Sequence, residues 1–272
     1  DGSIIDLAFK TIERGNLTLN YARKVLVSDE SKLRIAEDFY RYAVYFNLKK
    51  YHLTNENKYL WKAFSYNENN KSFLLNSLTN QRQVSKDPDY HKLLDQREEF
   101  KQMMQSYAAQ DNISKQYTFF AKLDSIQSKV DEYADYKHFR EIDPNSFGKQ
   151  YSGVSVLSAH LGFNTLYFFL SNGSQLSAKE IRIDSSFNDS IVGFRKLLTS
   201  PESEILQLEW FNVFLEWLEP QLTDRLVIIP DGILNYLPFE LIAHSSNKTQ
   251  FLFEKTNITY QNSAAQSLCL GE

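Results

Sequence analysis

A single cysteine, Cys269, stands in 272 residues. One thiol excludes an internal disulfide framework and any zinc site built on cysteines. The five histidines show no HxxxH or HExxH spacing and no carboxylate–histidine cluster, so no metal site is expected. Neither a GxGxxG nor a Walker-type loop occurs, so no cradle for a nucleotide cofactor is expected. Long apolar runs are missing as well: nothing approaches the roughly 20 residues of a membrane-spanning helix. The start, DGSIIDLAFK, lacks the charged-then-apolar layout of a signal peptide. The expected location is cytoplasmic, with no membrane partner. Positive charge is also not in excess, since 30 Lys and Arg face 34 Asp and Glu for a net charge of −4. Phosphate binding needs a basic face, so a nucleic-acid partner is not expected. What the chain has in quantity is aromatic side chains, with 16 Tyr and 20 Phe. These bring large buried areas and allow a substantial core.

The first 140 residues carry helical periodicity. Leu33, Ala36, Phe39, Tyr40, Ala43 and Phe46 recur every three to four residues over 33–51, and Tyr42, Tyr45 and Leu48 make a second apolar face. A polar break at 52–57 precedes a second helix over 58–80, carrying Leu60, Ala63, Phe64, Leu74, Leu75 and Leu78. Two such helices joined by a short turn form an αα-hairpin, the unit of helical solenoids. Asp87-Pro88-Asp89 is a cap-and-start signal for a third helix with the stripe Leu93, Phe100 and Tyr107. After AAQDN, a fourth over 113–137 carries Phe119, Leu123, Ile126, Val130 and Tyr133. Near-heptad stripes on consecutive helices predict a long antiparallel hairpin whose stripes pack on each other.

Pro144, Gly148 and Gly153 mark a boundary over 142–152, and the periodicity then changes. TLYFFL (165–170) and KEIRID (179–184) flank Ser171-Asn172-Gly173 and read as a β-hairpin, with His160 ahead of its first strand. Helices follow over 187–198 and, after Pro201, over 203–219, the second ended by Pro220. LVII (226–229) reads as a strand covered on both faces, because it shows no alternation. Pro230 cannot donate to a ladder and stops it, and Asp231-Gly232 turns the chain away. A last strand is expected over 258–260, and SAAQSL opens a further helix.

The stretch Pro230-Asp231-Gly232, then Leu234, Leu237, Pro238, Phe239, Glu240 and Leu241, resembles the CHAT domain family, whose fold and chemistry relate it to caspases and separase. ITYQNSAAQSL resembles that family's strand-then-serine segment, with Tyr260 and Ser263 at the matching positions and Asn262 where a proline is often found. The layout before it also looks like the family: tetratricopeptide-like helices, a long helical hairpin, then a β-hairpin. The fold class expected is α + α/β, with tetratricopeptide-like helices over 1–86, the helical hairpin over 87–141, and the first, incomplete part of a caspase-like domain over 151–272. The resemblance implies a larger, bacterial protein that is a cysteine endopeptidase acting on a protein substrate. Its alternative is a non-catalytic interaction scaffold with a CHAT-like structural module.

The family's histidine and cysteine lie after the matched segment, so no catalytic, cofactor-binding or metal-binding residue is assigned, and the chain alone is expected to be inactive. Cys269 in QSLCLG, with His244 upstream, imitates a caspase signature. Cys269 nevertheless follows small polar residues rather than a buried strand, and His244 precedes Ser rather than Gly. Asp231 and Glu240 are read as turn and capping residues, and His52, His91, His138 and His160 as unremarkable. The partners expected are a protein substrate or regulator, and either the rest of the domain or a second copy to cover the last strand's open edge.

Overall fold

The structure, a computed structural model, describes residues 7, 10–12, 30–84, 88–110, 112–133, 141–198, 208–244 and 247–264. Two long helices come first, α1 (Glu30–Thr54) and α2 (Asn57–Val84). The break between them is shorter than the polar run 52–57 suggests. It is made by Asn55, whose positive φ of 55° lets its amide close on Tyr51 O at 2.7 Å and end the helix.

The chain divides into two compact units, residues 1–39 with 73–140, and residues 40–72 with 141–272. The helical stretch 40–72 therefore belongs to the same unit as the sheet. In the first unit, α3 (Pro88–Ala109) and α4 (Ile113–Tyr133) form the antiparallel hairpin that the stripes predict. Tyr107 stacks on Phe119 at 5.4 Å, Phe100 lies 6.1 Å from Phe119, and Tyr90, Ile126 and Val130 are buried between the helices.

The second unit is built on a five-stranded mixed sheet. The boundary 142–152 holds a short helix, α5 (Pro144–Gln150). Asp143 caps it through Ser146 N at 2.7 Å, and Pro144 occupies its first turn. Next come β1 (Ser155–Leu161), β2 (Thr165–Asn172) and β3 (Gln175–Arg182), an antiparallel meander in which His160 pairs opposite Tyr167. His160 thus sits inside a strand, not before one. The helices α6 (Phe187–Leu198) and α7 (Glu209–Leu218) cross to β4 (Arg225–Ile229), which lies parallel to β1. Two 3-10 turns (Gly232–Tyr236 and Phe239–Leu241), the small hairpin β5 (Ala243–His244) and β6 (Asn247–Phe251), and a third 3-10 turn lead to β7 (Asn257–Tyr260), parallel to β4. The spatial order is β3-β2-β1-β4-β7, so β7 is an edge strand and largely exposed.

The strands alternate, and each face of the sheet has its own cover. Leu157 and Ala159 of β1, Phe168 and Leu170 of β2, and Leu226 and Ile228 of β4 join Phe194, Phe211, Phe214 and Phe239 in one apolar core under α6 and α7. Phe214 and Phe168 approach to 4.5 Å, and Trp210 packs edge-on to Phe211 at 4.7 Å. Each fully buried Phe contributes on the order of 2–3 kcal/mol relative to exposure. Phe169 on the opposite face meets Phe64 of α2 at 5.8 Å, and Phe64 and Trp61 pack edge-on against Phe147 of α5. Gly148 of α5 is needed for this approach, since a Cβ there would stand 2.8 Å from Ser174 N in the β2–β3 turn.

Candidate functional site

Polar side chains collect on the α2 side of β1, at the carboxyl ends of β1 and β4. α2 carries Asn67, Glu68 and Lys71 on one face, and none is more than 6% exposed. Ser158 and His160 project toward them from β1 because Leu157, Ala159 and Leu161 take the apolar face. The Ser158 hydroxyl donates to Glu68 Oε1 at 2.5 Å and accepts from Lys71 Nζ and from Asn67 Nδ2, both at 2.7 Å. One donor and two lone pairs are all a hydroxyl has, so Ser158 is saturated. Lys71 Nζ also reaches Ile229 O at 3.0 Å and Glu68 Oε1 at 3.4 Å, a set of three that matches an ammonium group. Glu68 Oε2 accepts from Ala264 N at 2.6 Å and from the Ser263 hydroxyl at 3.2 Å.

His160 and Asp231 extend this cluster. Asn67 gives its Nδ2 to Ser158 and Glu68, so its Oδ1 accepts from His160 Nδ1 at 3.1 Å. Nδ1 therefore carries the proton, and Nε2 is a buried acceptor with no partner among the described residues. Asp231 Oδ2 lies 3.7 Å from His160 Nδ1 and accepts from Leu161 N at 2.7 Å, which clips the end of β1 to the turn after β4. Burial pushes the His160 ring down to about 4, against the opposing pull of Asp231 and with help from Lys71 and Arg41, so the ring is neutral at pH 7. Gly232 takes the positive φ of 52° that turns the chain away behind Asp231.

Ser158 and Lys71 have the separation of a serine–lysine catalytic pair. They cannot act as one. An ammonium with all three protons engaged has no lone pair to take the serine proton, and a hydroxyl with 0% exposure in mid-strand meets no substrate. The cluster's chemistry is positional.

The residues singled out in the sequence lie elsewhere or take quieter roles. Cys269 and His138 lie outside the described residues. His244 is in β5, His91 is exposed on α3, and His52 of α1 pairs with Glu180 of β3 at 2.7 Å. Glu240 accepts from the Tyr260 hydroxyl, which in turn accepts from Phe239 N at 3.1 Å. Burial first, and then this bond to Glu240, raise the Tyr260 pKa. Glu240 thus ties the second 3-10 turn to β7. Asp231 does occupy a turn, but its side chain serves β1 rather than its own turn, where it makes no capping bond. No group of three or more His, Cys, Asp or Glu able to hold a metal occurs among the described residues, and no described helix is long and apolar enough to cross a membrane.

The feature that the sequence reading missed is the charged pair on α2. Glu68 and Lys71 stand in the polar run NENNK, and only its burial together with Ala63, Phe64 and Tyr66 marks the pair as internal. Comparison with curated proteins finds no match. Comparison with family models shows that residues 196–270, from the end of α6 through α7, β4 and β7, match the CHAT domain.

Proposed function

We propose that this chain forms the helical part and the first half of the α/β domain of a caspase/separase-like cysteine endopeptidase that acts on a protein substrate. The observation that carries the reading is the coincidence of the CHAT match at 196–270 with a parallel β1-β4-β7 order. A β-hairpin flanks one side of that order, and β7 is the other edge among the described residues. In this reading the family's histidine and cysteine stand downstream of the matched motif. The described side chains supply scaffold, and the helices supply a surface for a protein substrate or regulator.

A second reading has a specific observation in its favour. Among the described residues, the buried pair that resembles catalytic machinery, Ser158 and Lys71, is closed and has its hydrogen-bonding capacity filled, as expected of a structural module in a non-catalytic scaffold.

The discriminating experiment uses the complete native polypeptide and an unfolded protein substrate, with and without prior thiol alkylation. The peptidase reading expects cleavage that alkylation abolishes, and loss of cleavage when a cysteine downstream of Cys269, but not Cys269 itself, is replaced. Absence of any alkylation-sensitive cleavage, with the helical part still capturing a protein partner, would establish the scaffold reading instead.

A further inference from the structure

Glu68 and Lys71 lie one turn apart on α2, and their polar atoms reach three separate pieces of the sheet layer. Lys71 holds Ile229 O, the last residue of β4 before the Pro230-Asp231-Gly232 turn. Glu68 holds the Ala264 amide and the Ser263 hydroxyl, just past β7. Ser158 of β1 joins the two charged groups by donating to one and accepting from the other. A buried ion pair is not required to hold a helix on a sheet, because well-packed apolar side chains of similar volume do so equally well or better. Saturated hydrogen bonding adds direction: each atom fits one neighbour in one place.

We propose that α2 is a positional lock on the carboxyl edge of this sheet. Glu68 and Lys71 fix the turn after β4 and the Ser263–Ala264 step relative to each other, and an axial shift of α2 releases both together. Open α/β sheets place their ligands and working groups outside the carboxyl ends of parallel strands, which is the edge that the lock sets. The inference holds whether or not the domain is a peptidase.

The geometry gives the lock its sharpness. One residue of helix rise is about 1.5 Å. The contacts to Ser158, Ile229 O and Ala264 N span 2.5–3.0 Å, so a shift of two such steps, about 3 Å, stretches even bonds lying across the helix axis to about 4 Å, past the hydrogen-bonding limit as a group. Ser158 makes the release concerted, since neither charged group moves without disturbing the hydroxyl that the other uses. The Ala264 amide reports the state of the lock most directly. It bonds to a carboxylate on a helix 196 positions away in sequence, so its protection depends on α2 rather than on its own neighbours.

The test is residue-resolved amide exchange on the full 272-residue chain, comparing the wild type with the Glu68→Leu/Lys71→Met double variant. Apolar replacement keeps the packing and removes the direction. The expected result is wild-type-like protection in β1 and β4 with exchange of the Ala264 amide faster by about tenfold or more. Unchanged Ala264 protection in a folded double variant would overturn the lock. Should that variant fail to fold, the wild type decides the matter under mild denaturant. The lock requires the Ala264 amide to open together with the β4 amides, whereas independent local fraying of Ala264 would overturn it. Glu68→Gln adds a signature specific to the carboxylate. It should move the Ala264 amide proton upfield while leaving the β1–β2 amides in place.

Discussion

The two faces of one sheet are held by different physics. Under α6 and α7 the contact is almost wholly hydrocarbon and aromatic, from Leu157 and Phe168 to Phe211, Phe214 and Phe239. Under α1 and α2 an aromatic patch around Phe64, Phe147 and Phe169 gives way to a buried polar cluster of Asn67, Glu68, Lys71, Ser158 and His160. The apolar face is forgiving because dispersion and burial are non-directional, so it loses stability in proportion to what is removed. The polar face is all-or-none around Ser158, because Ser158, Glu68, Lys71 and Asn67 are satisfied only while the others stay in place. The same strand, β1, serves both faces by alternation alone.

The comparison is sharpest where one partner of the buried pair is removed. Lys71→Met leaves the Glu68 carboxylate at 0% exposure without its cation and should cost about 3–5 kcal/mol in denaturant unfolding. A loss under ~1 kcal/mol would break the contrast. Phe214→Ala, on the other face, should cost a similar amount, about 3–5 kcal/mol, but as a cavity. Refilling should then separate the two faces. Phe214→Leu recovers most of the loss, while Lys71→Leu recovers none.

A smaller effect is tied to pH. The folded His160 ring titrates near 4 and the unfolded ring near 6.5, so between these values the unfolded state binds more protons. Stability is therefore full above about pH 6.5 and declines as the pH falls toward 4, by roughly 2–3 kcal/mol from this group. The slope should vanish in His160→Gln, measured as unfolding free energy against pH. Smallest is the surface pair His52–Glu180, with side chains 50% and 30% exposed. Glu180→Gln should change stability by no more than about 0.5–1 kcal/mol in a thermal or chemical melt.

Much of the fold was legible because period and punctuation agreed. The hairpin stripes of α3 and α4, the helix 187–198 and the strand ended by Pro230 all follow from local pattern. β1 was harder to read because Ser158 and His160 interrupt SVLSAHL with polar residues. Its period-two set, Leu157, Ala159 and Leu161, was nevertheless present in the sequence. α5 repeats the Asp-Pro start of α3 and was hidden by its glycine, which is there for close approach to Ser174. The candidate cluster could not be read in the same way. Glu68 and Lys71 resemble any solvated i,i+3 pair, and their burial comes from partners 87 to 196 positions away. His160 and Asp231 meet only because β4 returns beside β1 after β2, β3 and two helices.

The most direct test of this account is a double-mutant cycle on Glu68 and Lys71, read as unfolding free energy at pH 7. Glu68→Leu and Lys71→Met should each lose about 3–5 kcal/mol, and the double variant should return to within about 1–2 kcal/mol of the wild type. Small and additive losses would contradict it, for they would mean that the polar face is held in the same graded way as the apolar one.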